Sequence, residues 1–330
     1  MKANLGLGNI GIRHLVAPLL LLTLMIPLIG SPHVIRVLIM TGVFLILSQS
    51  FNLIAGYTGM MSLCQTAFFG IGSYTSALLA LELGVPFILA LVLAGLFCSI
   101  ISLGIGVPAL HLSKHSFVIT TLAFLLICNL MARSLEITGG PMGLPGIPPP
   151  RLVLPNILDI PLFSLESYYY LILSLDVVVL LALRTIVNSR LGRAFTAIRE
   201  DEILAQAVGI NIMRYKLLAF SIAAFIAGIA GSFYAHYITY IDPEIFGLYY
   251  LNYIVVMVMV GGPGTIWGVT AGAVIFTLLP ELLRIAKELR LIIFGLILLF
   301  SILQMPGGIA GEVQKRWPKG RERAHESPGD

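Results

Sequence analysis

Few side chains in this 330-residue sequence have a type and spacing suited to chemistry. His111 and His115 stand four apart, which would place two imidazoles on one helix face within reach of a shared metal. Leu-Ser-Lys separates them, without the Glu of His-Glu-x-x-His, so they read as residues of a short solvated loop. The glycine-rich turn from Gly261 to Gly268 invites a phosphate loop, but it lacks the Lys-Ser/Thr that would contact phosphate and magnesium. No G-x-x-x-x-G-K-[S/T] run occurs anywhere in the chain, so any ATP that drives this protein is expected to be hydrolysed on another polypeptide. Cys64, Cys98 and Cys128 lie in apolar stretches without C-x-x-C spacing and read as small buried hydrophobes. Asp176 is the one charge near the middle of an apolar block. A bare carboxylate there costs about 2.5–3.5 kcal/mol on insertion scales, so it is expected to face the bundle interior. It is either a polar point on a pathway or a satisfied residue bonded to a neighbour. No Ser/His/Asp set or carboxylate pair shares a face. The expectation is therefore no catalytic site, no metal and no cofactor on this chain.

Composition sets the elements that must hold these residues. Of the chain, 58% is hydrophobic and 11% charged, against about a quarter charged in a soluble domain, and the mean hydropathy is +0.97. These figures exclude a soluble enzyme, a disordered chain and a nucleic-acid-binding domain. The net charge of +4 needs no polyanion partner, because the basic residues sit in loops, where membrane orientation accounts for them. Continuous apolar blocks fall at 15–30, 34–55, 60–81, 85–110, 116–133, 168–187, 215–236, 248–262, 266–283 and 290–305. At about 20 residues per crossing, they predict an all-α polytopic membrane protein of about ten transmembrane helices. A β-barrel would need short alternating stretches instead. Lys2 and Arg13 before the first block resemble a signal peptide, but Pro18, Pro27 and the missing A-x-A site favour a retained helix. In the block from Met60 to Leu81, Ser62, Gln65, Thr66, Gly70, Gly72 and Ser73 interrupt the apolar run and suggest a broken or re-entrant helix. Gly268 and Gly272 are four apart and suit close helix packing.

The loop from Arg184 to Lys216 carries six basic residues and the tail five, from Lys315 to Arg323. Four blocks separate loop from tail and six separate loop from N-terminus, so both termini and the loop are expected in the cytoplasm. Asp242, Glu244 and the 134–167 segment then fall outside. Arg284, Lys287 and Arg290 also fall outside, against the rule, with Glu281 and Glu288 placed to offset them. Residues 1–310 are expected to form one membrane domain, and 311–330 a basic, disordered cytoplasmic tail.

The stretch Asn188–Lys216 is longer and more charged than a minimal connection. Ser189 is placed to cap a helix through Arg193 and Ile198. Glu200, Asp201 and Glu202 suit the N-terminus of a second short helix. Gly209 sits where a left-handed residue ends it, with Ile210 folding back on the last turn. Two helices along the cytoplasmic face, spanning 188–211, are a docking surface for another protein. An amphipathic membrane anchor is the alternative, and the acidic triplet opposes it, since anionic headgroups would repel it.

At this loop, GRAFTAIREDEILAQAVGIN resembles the cytoplasmic coupling loop of ABC-importer permeases of the branched-chain amino acid family. Gly59-Met60-Met61-Ser62-Leu63-Cys64-Gln65-Thr66-Ala67-Phe68-Phe69-Gly70-Ile71-Gly72-Ser73-Tyr74 resembles that family's G-x-x-S-L-G-x-A-x-F-x-G-x-G-A-Y run, with Cys64 in place of Gly and Ser73 in place of Ala. Thr138–Pro148 resembles the T-G-G-x-x-G-L-x-G-I-P loop of the longer of its two permease subunits, and Gly261–Gly268 its late G-G-x-G-T-x-x-G turn. The general importer pattern E-A-A-x-x-x-G is kept only at Ala205 and Gly209; Ile203 stands at the Glu position and Glu202 is one place off.

The resemblance covers about 40–310 and implies a permease subunit of the bacterial inner membrane. It implies as partners a second permease, two cytoplasmic ATPases and a periplasmic substrate-binding protein, besides membrane lipid and without nucleic acid. The cargo it implies is leucine, isoleucine or valine, moved by alternating access. Urea or short amides carried by a related importer, or a standalone secondary transporter, are the other readings. Ion coupling in the last would need several intramembrane ionisable residues, and only Asp176 qualifies. On this basis Arg193, Arg199, Glu200, Asp201, Glu202, Ala205 and Gly209 are the expected coupling residues. Gly59, Ser62, Gln65, Gly70, Gly72, Asp176, Gly261, Gly262, Gly264, Gly268 and Gly272 are the expected packing or pathway residues.

Overall fold

The structure is a computed structural model that describes residues 31–154, 158–161, 164–282, 308 and 310–311. The expected spans at 15–30 and 290–305, the segment Arg284–Arg290 and the tail from 312 onward lie outside the described residues. The helices are α1 (Pro32–Phe51, continued by a π-helix at Asn52–Tyr57), α2 (Gln65–Leu83), α3 (Phe87–Ala109), α4 (Lys114–Ser134) and α5 (Leu165–Asn188). They continue as α6 (Arg190–Glu200), α7 (Glu202–Ala207), α8 (Ile212–Ile238), α9 (Leu248–Gly261) and α10 (Ile266–Leu282). Six of them are long and apolar enough to cross a membrane, namely α1 with its π turn, α2, α3, α4, α5 and α8; α9 and α10 are shorter and also apolar.

Lipid can cover an apolar face but cannot satisfy polar side chains, so the spans that carry Gln49, Ser50, Gln65, Ser73, Ser76 and Ser232 must meet protein on all sides. Accordingly α1, α2 and α8 form the centre, with Ile39, Val43, Ile46, Phe68, Phe69, Phe220 and Phe233 buried. Helix α8 packs along both α2 and α3, and α1 packs along α5, α8 and α10. Helices α3, α4 and α5 keep apolar side chains on their outer faces (Leu96, Phe97, Ile100, Ile127, Leu130, Val178 and Leu181 among them), as lipid-facing helices do. Small residues set the central spacing. A Cβ at Gly72 would strike the backbone of Gly228, and Ser73 Oγ donates to the Gly231 carbonyl at 2.8 Å.

The block expected to be broken is irregular only at its start, where residues 58–64 are not helical. Helix α2 runs uninterrupted, because its polar side chains meet protein: Ser50 Oγ donates to Gln65 Oε1 at 2.9 Å, and Ser73 and Ser76 bond α8. A further irregularity lies one element earlier, in the π-helix Asn52–Tyr57, a wider turn of the kind found at functional positions.

The chain alternates between two ends of the bundle. One end gathers the 110–114 turn, α6, α7 and the 262–265 turn. The other gathers short strands, in departure from a purely helical expectation. There β1 (Leu144–Pro145) pairs antiparallel with β4 (Tyr240–Ile241), and β2 (Arg151–Leu154) with β3 (Leu158–Pro161). Positive φ at Gly139, Gly140, Gly143 and Gly146 makes the tight turns that bring this segment back over the bundle.

Candidate functional site

Helices α6 and α7 are built from local signals. Ser189 Oγ accepts from Leu191 N at 3.1 Å and starts α6. Gly192, Ala194, Phe195 and Ile198 are its buried face, and the Phe195 ring meets Tyr215 edge-on at 6.3 Å. Arg193, Thr196 and Glu200 face outward. Asp201 is extended between the two helices, and its Oδ1 accepts from Ile203 N at 2.8 Å and Leu204 N at 3.0 Å, capping α7. The end of α7 is closed by Gly209 N→Gln206 O at 2.9 Å and Ile210 N→Ala205 O at 3.0 Å, with Gly209 at φ 87°. That double closure requires the left-handed conformation, which glycine adopts without steric cost. Asn211 Oδ1 then accepts from Arg214 N at 3.1 Å and opens α8.

Two long-range ties fix this loop to the bundle. Glu202 bridges Lys216 of α8 at 2.6 Å and Lys114 of α4 at 3.2 Å. Lys216 is nearly buried, with 8% of its side chain exposed, so the carboxylate is the acceptor its ammonium needs. Burial alone would raise the Glu202 pKa; hydrogen bonds and charge from Lys216 and Lys114 outweigh it and hold the carboxyl below its ordinary range. Arg199, on the exposed side of α6, reaches back and donates from its guanidinium to the Gly56 carbonyl in the π-helix. Its stem lies against Gly59, and its head occupies the space a side chain on Gly264 would fill. Gly264 itself is at φ 83°. Its N–H donates to Asn52 Oδ1 at 2.8 Å, Asn52 Nδ2 donates to Thr265 O at 3.3 Å, and Gln49 Nε2 donates to Ile266 O at 2.7 Å. One continuous set of polar contacts thus runs from α6 through the π turn of α1 to the α9–α10 turn.

The outer surface of α7 and its C-cap carries an apolar patch beside the exposed Gln206. Ile203, Leu204 and Val208 are 81%, 65% and 71% exposed, around a buried Ala205. Beside them a cleft of about 1020 Å³ opens between the 110–114 turn and the start of α8, walled by Leu112, Lys114, Glu202 and Met213 among others. The sequence reading placed weight on the acidic triplet. The structure places Asp201 in a cap, Glu202 in ion pairs, and only Glu200 free on the surface. The signal for the apolar patch was present as Ile-Leu-x-x-x-Val in an otherwise charged segment.

The remaining residues singled out from sequence have packing environments. A Cβ at Gly70 would meet the Phe246 ring, one at Gly272 the Met257 carbonyl, and Gly261 and Gly268 face each other's backbones. Gly262, at φ 107°, ends α9. Ser62 contacts Cys64 at 3.2 Å, and Gln65 Nε2 is buried without a partner. Asp176 is buried where α5 meets α1, its carboxylate against Gly42, with Oδ1 unpartnered. His111, in the turn after α3, bonds the end of that helix through Nδ1 at Val107 O, 2.6 Å away, and among the described residues no cluster suited to a metal occurs.

Comparison with known proteins adds sequence-wide information. The family described as branched-chain amino acid transport system, permease component, matches residues 33–302. The high-affinity branched-chain amino acid transport system permease protein LivM of Salmonella typhimurium is 31% identical over 310 residues, 88% of this chain and 73% of that protein. Its Escherichia coli K12 counterpart is 30% identical over the same coverage. The permease protein LivH of the Escherichia coli K12 system is 33% identical over 131 residues, 38% of this chain and 42% of LivH. No solved structure matches.

Proposed function

Because the chain belongs to the family of branched-chain amino acid transport system permease components, we propose that it is the membrane-embedded subunit of a binding-protein-dependent ABC importer. In this reading it carries leucine, isoleucine or valine across a bacterial inner membrane. Separate ATPases supply the energy, a second permease completes the pathway, and a periplasmic binding protein delivers the cargo. The chain crosses about ten times as one domain over 1–310, with both termini and the α6–α7 loop in the cytoplasm.

One observation carries the reading: α7 offers an apolar tip to the outside while its base is bound to the bundle by two polar ties. Exposed isoleucine, leucine and valine on a short helix outside the spans match a protein partner's apolar cleft. Arg193 and Glu200 flank that contact. Asp201, Ala205 and Gly209 give α7 its shape, and Glu202 and Arg199 hold it. Closure of the ATPases displaces α7. The displacement passes through Arg199 to the π turn and the Gly264 turn, and the helices rock as bodies to open the path inward. An aliphatic cargo asks for few charges along the way, in keeping with a chain that is 11% charged.

The test is Ile203→Asp combined with Leu204→Asp in the full complex. Uptake and co-purification of the ATPases are expected to be lost while membrane insertion and abundance stay at wild-type levels. ATPases retained at full stoichiometry would show that α7 is not their contact.

A further inference from the structure

At the end of the bundle opposite α7, helix α8 stops at Ile238 and the chain turns through Thr239, which holds φ 61°. Positive φ in a β-branched residue is costly, and such strain collects at functional sites. The turn aims Tyr240–Ile241 back across the bundle, where they pair with Leu144–Pro145 and Tyr240 Oη donates to Met142 O at 2.8 Å. Below this strap lies a cavity of about 60 Å³. Tyr234, Tyr240 and Tyr250 supply aromatic walls, Ile238, Ile241 and Ile245 aliphatic ones, and Asp242 the charge.

The charge balance of this cavity is uneven. Asp242 Oδ1 accepts from Glu244 N at 3.0 Å, which caps the following turn. The nearby cation, Arg133, is committed to Glu244 at 2.6 Å and to Asn129 Oδ1 at 2.9 Å. Among the described residues Asp242 has no ion-pair partner. An unmatched carboxylate in a pocket walled by three tyrosines attracts a cation by charge, and aromatic walls are compatible with one. Tyr234 and Tyr250 share one hydrogen bond, Oη to Oη at 3.0 Å, so one hydroxyl proton of the pair is left to donate. The aliphatic walls suit a cation that carries a hydrocarbon. The space suits about four water-sized groups, enough for an ammonium and the carbons next to it.

We propose that this cavity is a subsite that receives the α-ammonium end of an aliphatic amino acid as it enters the permease, with Asp242 as its counter-ion. The proposal rests on the permease reading above and specifies where that cargo is first held. The rings of Tyr234 and Tyr250 lie beside the ammonium and one of their hydroxyls is left for the carboxylate, while the isoleucines contact the first carbons of the side chain.

The experiment uses the complete complex in proteoliposomes with leucine-loaded binding protein. Asp242→Asn keeps the oxygen that caps the turn and removes only the charge. It is expected to lower leucine transport at least tenfold, with ATPase co-purification and binding-protein-stimulated ATP hydrolysis retained. Isoamylamine, a branched alkyl ammonium, is expected to inhibit the wild type and lose that effect in Asp242→Asn; 4-methylpentanoate is expected to inhibit neither. Tyr234→Phe should give an intermediate loss. Wild-type transport and wild-type isoamylamine sensitivity in Asp242→Asn would overturn the subsite alone. Loss of binding-protein stimulation in the variant would overturn it too, and assign Asp242 to docking of that protein. A wild-type complex that moves no branched-chain amino acid would instead refute the permease reading, and the subsite with it.

Discussion

Glu202→Gln tests whether the α6–α7 loop is held by charge or merely rests on the bundle. Lys216 is 8% exposed, Glu202 27% and Lys114 65%. Removing one partner of a fully buried pair costs about 3–5 kcal/mol, whereas an exposed pair contributes about 0.2–1 kcal/mol. The Glu202–Lys216 contact falls between these limits, since water reaches the carboxylate but hardly the ammonium. A loss of about 1.5–3 kcal/mol is expected, the range of a charge-assisted hydrogen bond. Lys114→Gln should cost less than about 1 kcal/mol, because solvent screens that partner. A double-mutant cycle of Glu202→Gln with Lys216→Met should return most of the loss as coupling energy. Thermal unfolding of the purified complex and hydrogen exchange of the 200–216 amides are the measurements, with protection lost first in α7. The sign of the pH effect follows from the lowered Glu202 pKa. The stabilisation is complete above the ordinary value of 4.5 and is lost as pH falls from there through the folded-state value. Equal costs for Lys114→Gln and Lys216→Met, or unchanged exchange in Glu202→Gln, would refute the tether.

Three other outcomes are expected. Arg199→Ala should leave the ATPases bound but lower transport about tenfold, as expected for losing a charged hydrogen bond of about 1.5 kcal/mol or more, with Arg199→Lys intermediate; paired transport and ATP-hydrolysis rates would show it. Gly72→Val should destabilise the bundle by about 1–3 kcal/mol or more, because the side chain meets the Gly228 backbone, and a thermal melt of the complex measures it. Asp176→Asn should keep leucine uptake and leave thermal stability equal or higher, since it removes a buried carboxylate facing Gly42 rather than a group in a cavity; a loss of uptake would place Asp176 on the pathway.

The features of this protein legible in its sequence are those that neighbouring residues decide. Ser189, Asp201 and Asn211 cap helices within three residues of themselves, and the turn at Gly209 closes α7 by bonds spanning three and five. Such contacts form wherever the local chain is helical, so residue type and spacing suffice to read them. The apolar blocks were legible for a similar reason: lipid asks only for length and hydrophobicity, and the six long helices start or end within a few residues of where the blocks did. The tertiary structure decided what each scarce polar group meets. Glu202 read as an exposed acid until Lys114 and Lys216, distant in sequence, were brought to it. Arg199 read as a coupling residue for an outside partner, although its acceptor is a carbonyl of the same chain 143 residues away. The polar residues of α2 suggested a broken helix because the sequence does not show that α1 and α8 cover them. Asp242 read only as a charge on the outer side until Thr239 turned the chain and placed it among tyrosines from three elements. In a chain so short of charges, sequence determined where they lie along the membrane. Packing alone determined which were neutralised and which remained to meet a partner.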